Sequence, residues 1–67
     1  PLATSYLEQA KSINPKEAEI YLLLGTVYAL QNNFDEAIKN AKISIELQPN
    51  NEEYKRNLET ILALMTK

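Results

Sequence analysis

Three kinds of residue return in this chain at an interval of 34 positions: Ala3 with Ala37, Ile13 with Leu47, and Pro15 with Pro49. Leu24 and Leu58 stand at the same interval. Self-similarity at a fixed period of about 20–50 residues marks a chain that stacks one supersecondary unit on the next. Within the interval lies a tighter pattern, in which Tyr21, Leu24, Gly25 and Tyr28 are followed by Ala37 and then Pro49. Spacings of three and four place the first four on one side of a helix.

Four helices are predicted. The first runs from about Leu2 to Ile13, with Ala3, Leu7 and Ala10 on one stripe. Asn14-Pro15 stops it, since proline has no amide to donate and disfavours helix at the residue before it. The second helix is expected to begin there, with Asn14 as cap, Pro15 in the first turn and Glu17 closing a capping box. It runs to about Gln31 and is apolar nearly all round, through Ile20, Tyr21, Leu22, Leu23, Leu24, Val27, Tyr28, Ala29 and Leu30. Such a helix has neighbours on more than one side. Asn32 is expected to take the left-handed conformation that ends it. Asn33 then caps a third helix from Phe34 to about Leu47, with Glu36 three residues on. Its apolar members are Ala37, Ile38, Ala41, Ile45 and Leu47. Gln48-Pro49 ends it, and Asn50 or Asn51 caps a fourth. Tyr54, Leu58, Ile61, Leu62 and Met65 form the predicted buried stripe of that fourth helix, and Glu52 and Glu53 suit its N-terminal dipole. Connections of a few residues make neighbouring helices antiparallel.

The Tyr21, Leu24, Gly25, Tyr28, Ala37 and Pro49 pattern resembles the tetratricopeptide repeat family. Tyr21 stands where the family prefers tryptophan, Ala41 where a larger aromatic is usual, Ser44 where alanine is usual, and Asn32 where a turn glycine is common. The resemblance implies an all-α fold of antiparallel helical hairpins stacked as a short right-handed solenoid. By it, residues 1–17 are the second helix of a partial repeat, 18–51 a complete repeat, and 52–67 a C-terminal capping helix. In the last segment Lys55 and Glu59 replace the aromatic and the glycine, and Lys55, Arg56, Glu59 and Lys67 supply a polar outer face, as a terminal repeat requires. Gly25 costs about 1 kcal/mol relative to alanine within a helix, which implies that another backbone, around Ala37, comes close. The first helix lacks a partner of its own repeat, so Leu2, Tyr6 or Ile13 should be left open.

Composition narrows the function. A chain of 67 residues with no Cys and no His has neither disulfide nor the usual metal and nucleophile side chains. Catalysis, metal and cofactors are therefore not expected. The acidic pairs Asp35-Glu36 and Glu52-Glu53 are explained by helix starts. Net charge is −2, with both signs scattered, so nucleic acid is a poor partner. The apolar run Ile20–Leu24 is far short of the ~20 residues that span a bilayer. Absence of Cys fits a reducing compartment such as the cytoplasm. The chain starts at Pro1 rather than Met, which reads as a piece of a longer protein.

In the family, the first helices of successive repeats line a concave groove for a peptide or a partner helix. Carried over by position, its residues here are Glu19, Leu22, Thr26, Ala29 and Leu30, then Glu53, Arg56, Thr60 and Ala63. Members that clamp a C-terminal carboxylate use a Lys and Asn pair. Leu22 and Thr26 stand at those positions and only Arg56 offers a cation, so an apolar peptide or amphipathic helix is the expected occupant. Leu22, Leu23 and Leu30 serve either this groove or packing against neighbouring helices. The competing expectation is self-association, as a homodimer, through the open face of the first helices.

Overall fold

The computed structural model describes residues 2–66. The chain forms four helices: α1 (Leu2–Ile13), α2 (Ala18–Leu30), α3 (Phe34–Leu47) and α4 (Glu52–Met65). The all-α class expected from the spacing is what forms, and no strand occurs among the described residues. The Cα envelope measures 34 × 30 × 14 Å. The short dimension fits two layers of helices, whose axes pack about 8–10 Å apart. The α2–α3 hairpin is the most extensive helix pair; α4 packs on both α3 and α2, while α1 packs on α2 alone.

The recurrence of proline is the recurrence of one turn. Glu17 N–H donates to the Asn14 carbonyl at 3.2 Å, and Asn51 N–H donates to the Gln48 carbonyl at 3.2 Å. In each turn proline is the second of four residues, where its fixed φ is preset for the bend. This corrects the expected start of the second helix. Asn14, Pro15 and Lys16 belong to the turn, α2 begins at Ala18, and Glu17 is its N-cap without a side-chain capping bond. The Asn14 carbonyl is already committed to closing the turn, and the Tyr21 hydroxyl donates to the Pro15 carbonyl at 2.7 Å.

The α2–α3 turn forms as the sequence predicts. Asn32 has φ 62°. Asn33 N–H donates to the Tyr28 carbonyl at 2.9 Å and Asn32 N–H to the Ala29 carbonyl at 3.0 Å, the paired bonds of a Schellman ending. Asn33 is the N-cap of α3, but its side chain makes no capping bond, so the capping box with Glu36 is absent. Of the two candidates for α4, Asn51 is the cap, and its side chain accepts from the Glu53 and Tyr54 amides.

One packed cluster, of Ala29, Ala37, Ala41 and Ile61, joins α2, α3 and α4. Leu24, Ala37 and Ala41 are fully enclosed, and Ala29 and Ile61 join them. Ile38 and Leu58 pack partly buried against this cluster. Three expected core members sit at the margin: Leu47, Leu62 and Met65 are 36, 38 and 45% exposed. On α1, Leu7 and Ala10 are half-buried, Ala3 is exposed, and no residue is fully buried. Leu2, Tyr6 and Ile13 are 88, 72 and 85% exposed. Lys55, Arg56 and Glu59 do lie on the exposed surface; Lys67 lies outside the described residues.

Candidate interaction groove

The site depends on how closely two hairpin helices approach. A Cβ built on Gly25 would stand 3.2 Å from the Ala37 carbonyl oxygen and 3.5 Å from the Ala41 Cβ. A side chain at position 25 would therefore press on backbone, and the glycine and the two alanines together set the α2–α3 distance. Ala41, where the family favours a larger aromatic, is part of this close approach. Ser44 is also fully buried, its hydroxyl turned back to the Ala41 carbonyl at 2.6 Å. Tyr21 is buried at the start of α2, and Pro49 is exposed in its turn.

With α3 drawn in, α2 and α4 also pack against each other, and the candidate groove takes one stripe from each. On α2, Glu19, Leu22, Thr26 and Leu30 follow at spacings of three and four. On α4, Glu53, Arg56, Thr60 and Ala63 do the same. The Asn57 amide donates to the Thr26 hydroxyl at 3.1 Å, and that hydroxyl donates to the Leu22 carbonyl at 3.1 Å. This chain of bonds ties α4 to α2. The Asn57 carbonyl oxygen is buried with no partner among the described residues. Sequence reasoning misses Asn57, because a single bond between residues 31 apart leaves no period. The only hint is its place next to Arg56, at the edge of the same stripe.

Of the nine groove positions, Ala29 is misplaced. It is buried in the core with Ala37, Ala41 and Ile61, because the close approach around Gly25 carries that side of α2 against α3. The other eight are reachable. Leu22 and Thr26 are half-buried, Leu30 is 76% exposed, and Glu19, Glu53, Arg56, Thr60 and Ala63 are exposed. The first turns of α2 and α4 carry the exposed acidic candidates Glu19 and Glu53. Burial raises the Tyr54 hydroxyl above its ordinary value, and the carboxylates of Glu19, Glu53 and Glu17 add to that rise.

A second polar contact joins α1 to α2. The Tyr28 hydroxyl donates to Glu8 Oε2 at 2.7 Å, Lys11 pairs with Glu8 Oε1 at 2.8 Å, and the Gln31 amide donates to the Thr4 hydroxyl at 3.0 Å. The Lys11 ammonium holds the Glu8 carboxyl below its ordinary value, aided by Tyr28 and Lys39 against the opposing effect of burial. Tyr28 is pushed up to about 12, first by its bond to Glu8 and then by burial. The lowered carboxyl contributes stability above its unfolded value, lost as pH falls through the folded one; the raised phenol contributes below about pH 10, lost as pH rises toward 12. The α1 attachment should therefore be firmest between about pH 5 and pH 10. Amide exchange in α1, corrected for its intrinsic rate, should quicken from pH 6 to pH 3, and Glu8→Gln should remove most of that change. Equal pH sensitivity in the variant would show that Glu8 is not the group responsible.

Paired antiparallel helices, stacked through small residues and joined by a repeating proline turn, define a helical-hairpin repeat protein. Residues 18–51 match the profile of the tetratricopeptide repeat, just over half of the chain, and the chain belongs to that family. Over 56 residues, 84% of this chain, it is 38% identical to anaphase-promoting complex subunit 3 of Dictyostelium discoideum. The chain spans only 6% of the length of that relative. No solved structure matches. No helix among the described residues is long and apolar enough to cross a membrane.

Proposed function

We propose that this chain is a protein-interaction module whose α2–α4 groove takes an apolar peptide or the apolar face of a partner helix. Tetratricopeptide repeats mediate protein–protein interaction in general, and the groove is the finer reading. The observation that carries it is the α2 stripe: Leu22 is half-buried while Leu30, two turns on, is 76% exposed. An apolar strip that continues from a half-buried leucine into solvent is suited to a hydrophobic side chain from outside. Glu19 and Glu53 oppose a carboxylate-terminated peptide. The relative's name makes it one subunit of a complex, which supports a role within an assembly for this chain as well. Residues 1–17 and 52–67 would then be the flanks of one complete repeat, the second acting as a cap.

The test is selection of binders from a random 16-residue peptide display library, followed by affinity measurement on variants. Leu22→Glu and Leu30→Glu should each weaken the selected peptides by about tenfold or more, a difference of about 1.4 kcal/mol, with helical circular dichroism retained. Peptides that bind both variants as well as the parent would place the interaction elsewhere. Loss of helicity in Leu22→Glu alone would make Leu22 a core residue and leave the decision to Leu30.

A second reading has its own observation. Leu2, Tyr6 and Ile13 leave an apolar face of α1 open, and a dimer through that face would cover it. Tyr6→Glu should then lower the solution mass measured by light scattering toward that of one chain. A mass equal to the parent's at every concentration rules this face out as the contact.

A further inference from the structure

The attachment of α1 differs from that of every other helix. Each of α2, α3 and α4 packs on at least two neighbours, whereas α1 packs on α2 alone. None of its residues is fully buried. Apolar contact comes from the half-buried Leu7 and Ala10, and side-chain polar contact with α2 from Glu8 with Tyr28 and Thr4 with Gln31. The connection to α2 is the four-residue turn Asn14–Glu17, all of it exposed. The packed cluster of Ala29, Ala37, Ala41 and Ile61 contains no residue of α1 and can stay intact when this turn straightens. Segments with few buried contacts open as units before the rest of a fold.

Opening α1 leaves a surface on α2 of defined chemistry: the Tyr28 hydroxyl awaiting a carboxylate, the Gln31 amide awaiting a hydroxyl, and an apolar flank between them. The segment that meets all three at the right spacing is α1 of another copy. We propose that α1 is an exchangeable helix, and that the flank of α2 it occupies is an interaction surface for α1 of a second copy of this chain. Exchange rebuilds in trans the bonds between α1 and α2 that opening breaks in cis, so the equilibrium is governed by chain concentration and by the loss of the hinge's own bonds, Glu17 N–H to the Asn14 carbonyl and the Tyr21 hydroxyl to the Pro15 carbonyl. Pro15 permits the extended hinge as well as the turn, because its fixed φ suits both and it biases Asn14 toward extended backbone. This surface is distinct from the outward face carrying Leu2, Tyr6 and Ile13, and it is independent of the groove.

The chain has no cysteine, which permits a direct test. Thr4→Cys and Gln31→Cys are made as separate variants, mixed at about 1 mM, held near the lower edge of thermal unfolding, cooled and oxidised. Helix exchange places the thiol introduced at position 4 of one chain beside the thiol introduced at position 31 of the other. The mixed disulfide should therefore exceed both self-pairs several-fold. Tyr28→Phe, which removes the bond to Glu8, should bring the mixed product up about tenfold faster, as expected for losing a hydrogen bond to a charged group. The double variant Thr4→Cys/Gln31→Cys, oxidised when dilute, confirms that the two positions can bridge within one chain. Independently, the parent chain treated the same way should show a dimer by light scattering that persists on dilution. Mixed disulfide no more abundant than the self-pairs, or a parent chain that is monomeric throughout, overturns the proposal. A dimer that forms normally but is lost in Tyr6→Glu overturns it as well, in favour of the outward face of α1.

Discussion

Gly25→Leu is expected to lower the thermal midpoint by about 10 °C. The added Cβ alone would meet the Ala37 carbonyl oxygen at 3.2 Å, and three further carbons must then find room against two helix backbones. Overpacking of this kind costs about 1–3 kcal/mol and occasionally more. Each kcal/mol moves the midpoint of so short a domain by about 4–8 °C. Opposing this is the helix propensity recovered on losing glycine, about 1 kcal/mol. Gly25→Ala should therefore be close to neutral, since its single carbon needs a shift of only a few tenths of an ångström. Circular dichroism melts of the three proteins test the argument. A leucine variant that melts with the parent would mean that the helices are not held at the distance the glycine allows.

The second large effect belongs to α4. Ile61 is 2% exposed and packs on Ala29, Ala37 and Ala41. Shortening a buried isoleucine to alanine costs about 2–5 kcal/mol, depending on how far the site collapses. Three of the neighbours are alanines on helices already at close approach, and only flanking side chains such as Ile38 and Leu58 could move toward the space. We expect a loss of about 3 kcal/mol or more, measured by urea titration. A loss under about 1 kcal/mol would show that α4 caps the hairpin without sharing its core.

Much of this architecture is legible in the sequence because it rests on local signals. The helix breaks before Pro15 and Pro49, Asn32 in the left-handed region and an asparagine cap on α4 each follow from the residue type at one position. The close approach at Gly25 follows from a single residue that a helix would otherwise avoid. What escapes is decided by which side of a helix ends up against which neighbour. Ala29 belongs to the groove by its place in the repeat, yet the same approach that Gly25 permits pulls it into the core. Asn14 and Glu17 look like a capping box, but the turn claims the Asn14 carbonyl and leaves Glu17 as the cap. Asn57 is invisible for a different reason: its value lies in one hydrogen bond to a residue on another helix. Leu62 and Met65 carry the helical period correctly, yet in the last turn of α4 they stay at the margin, 38 and 45% exposed.

The two matching proline turns carry a consequence for how such a chain can grow. The joint that leads into α2 and the joint that leads into α4 have the same hydrogen bond at the same 3.2 Å. A segment running from one joint to the other therefore begins and ends on interchangeable connectors. Splicing in a second copy of residues 18–51 between them would ask neither joint to change its geometry. The chain would lengthen by one hairpin, its surface would extend in register, and the terminal helix would stay terminal.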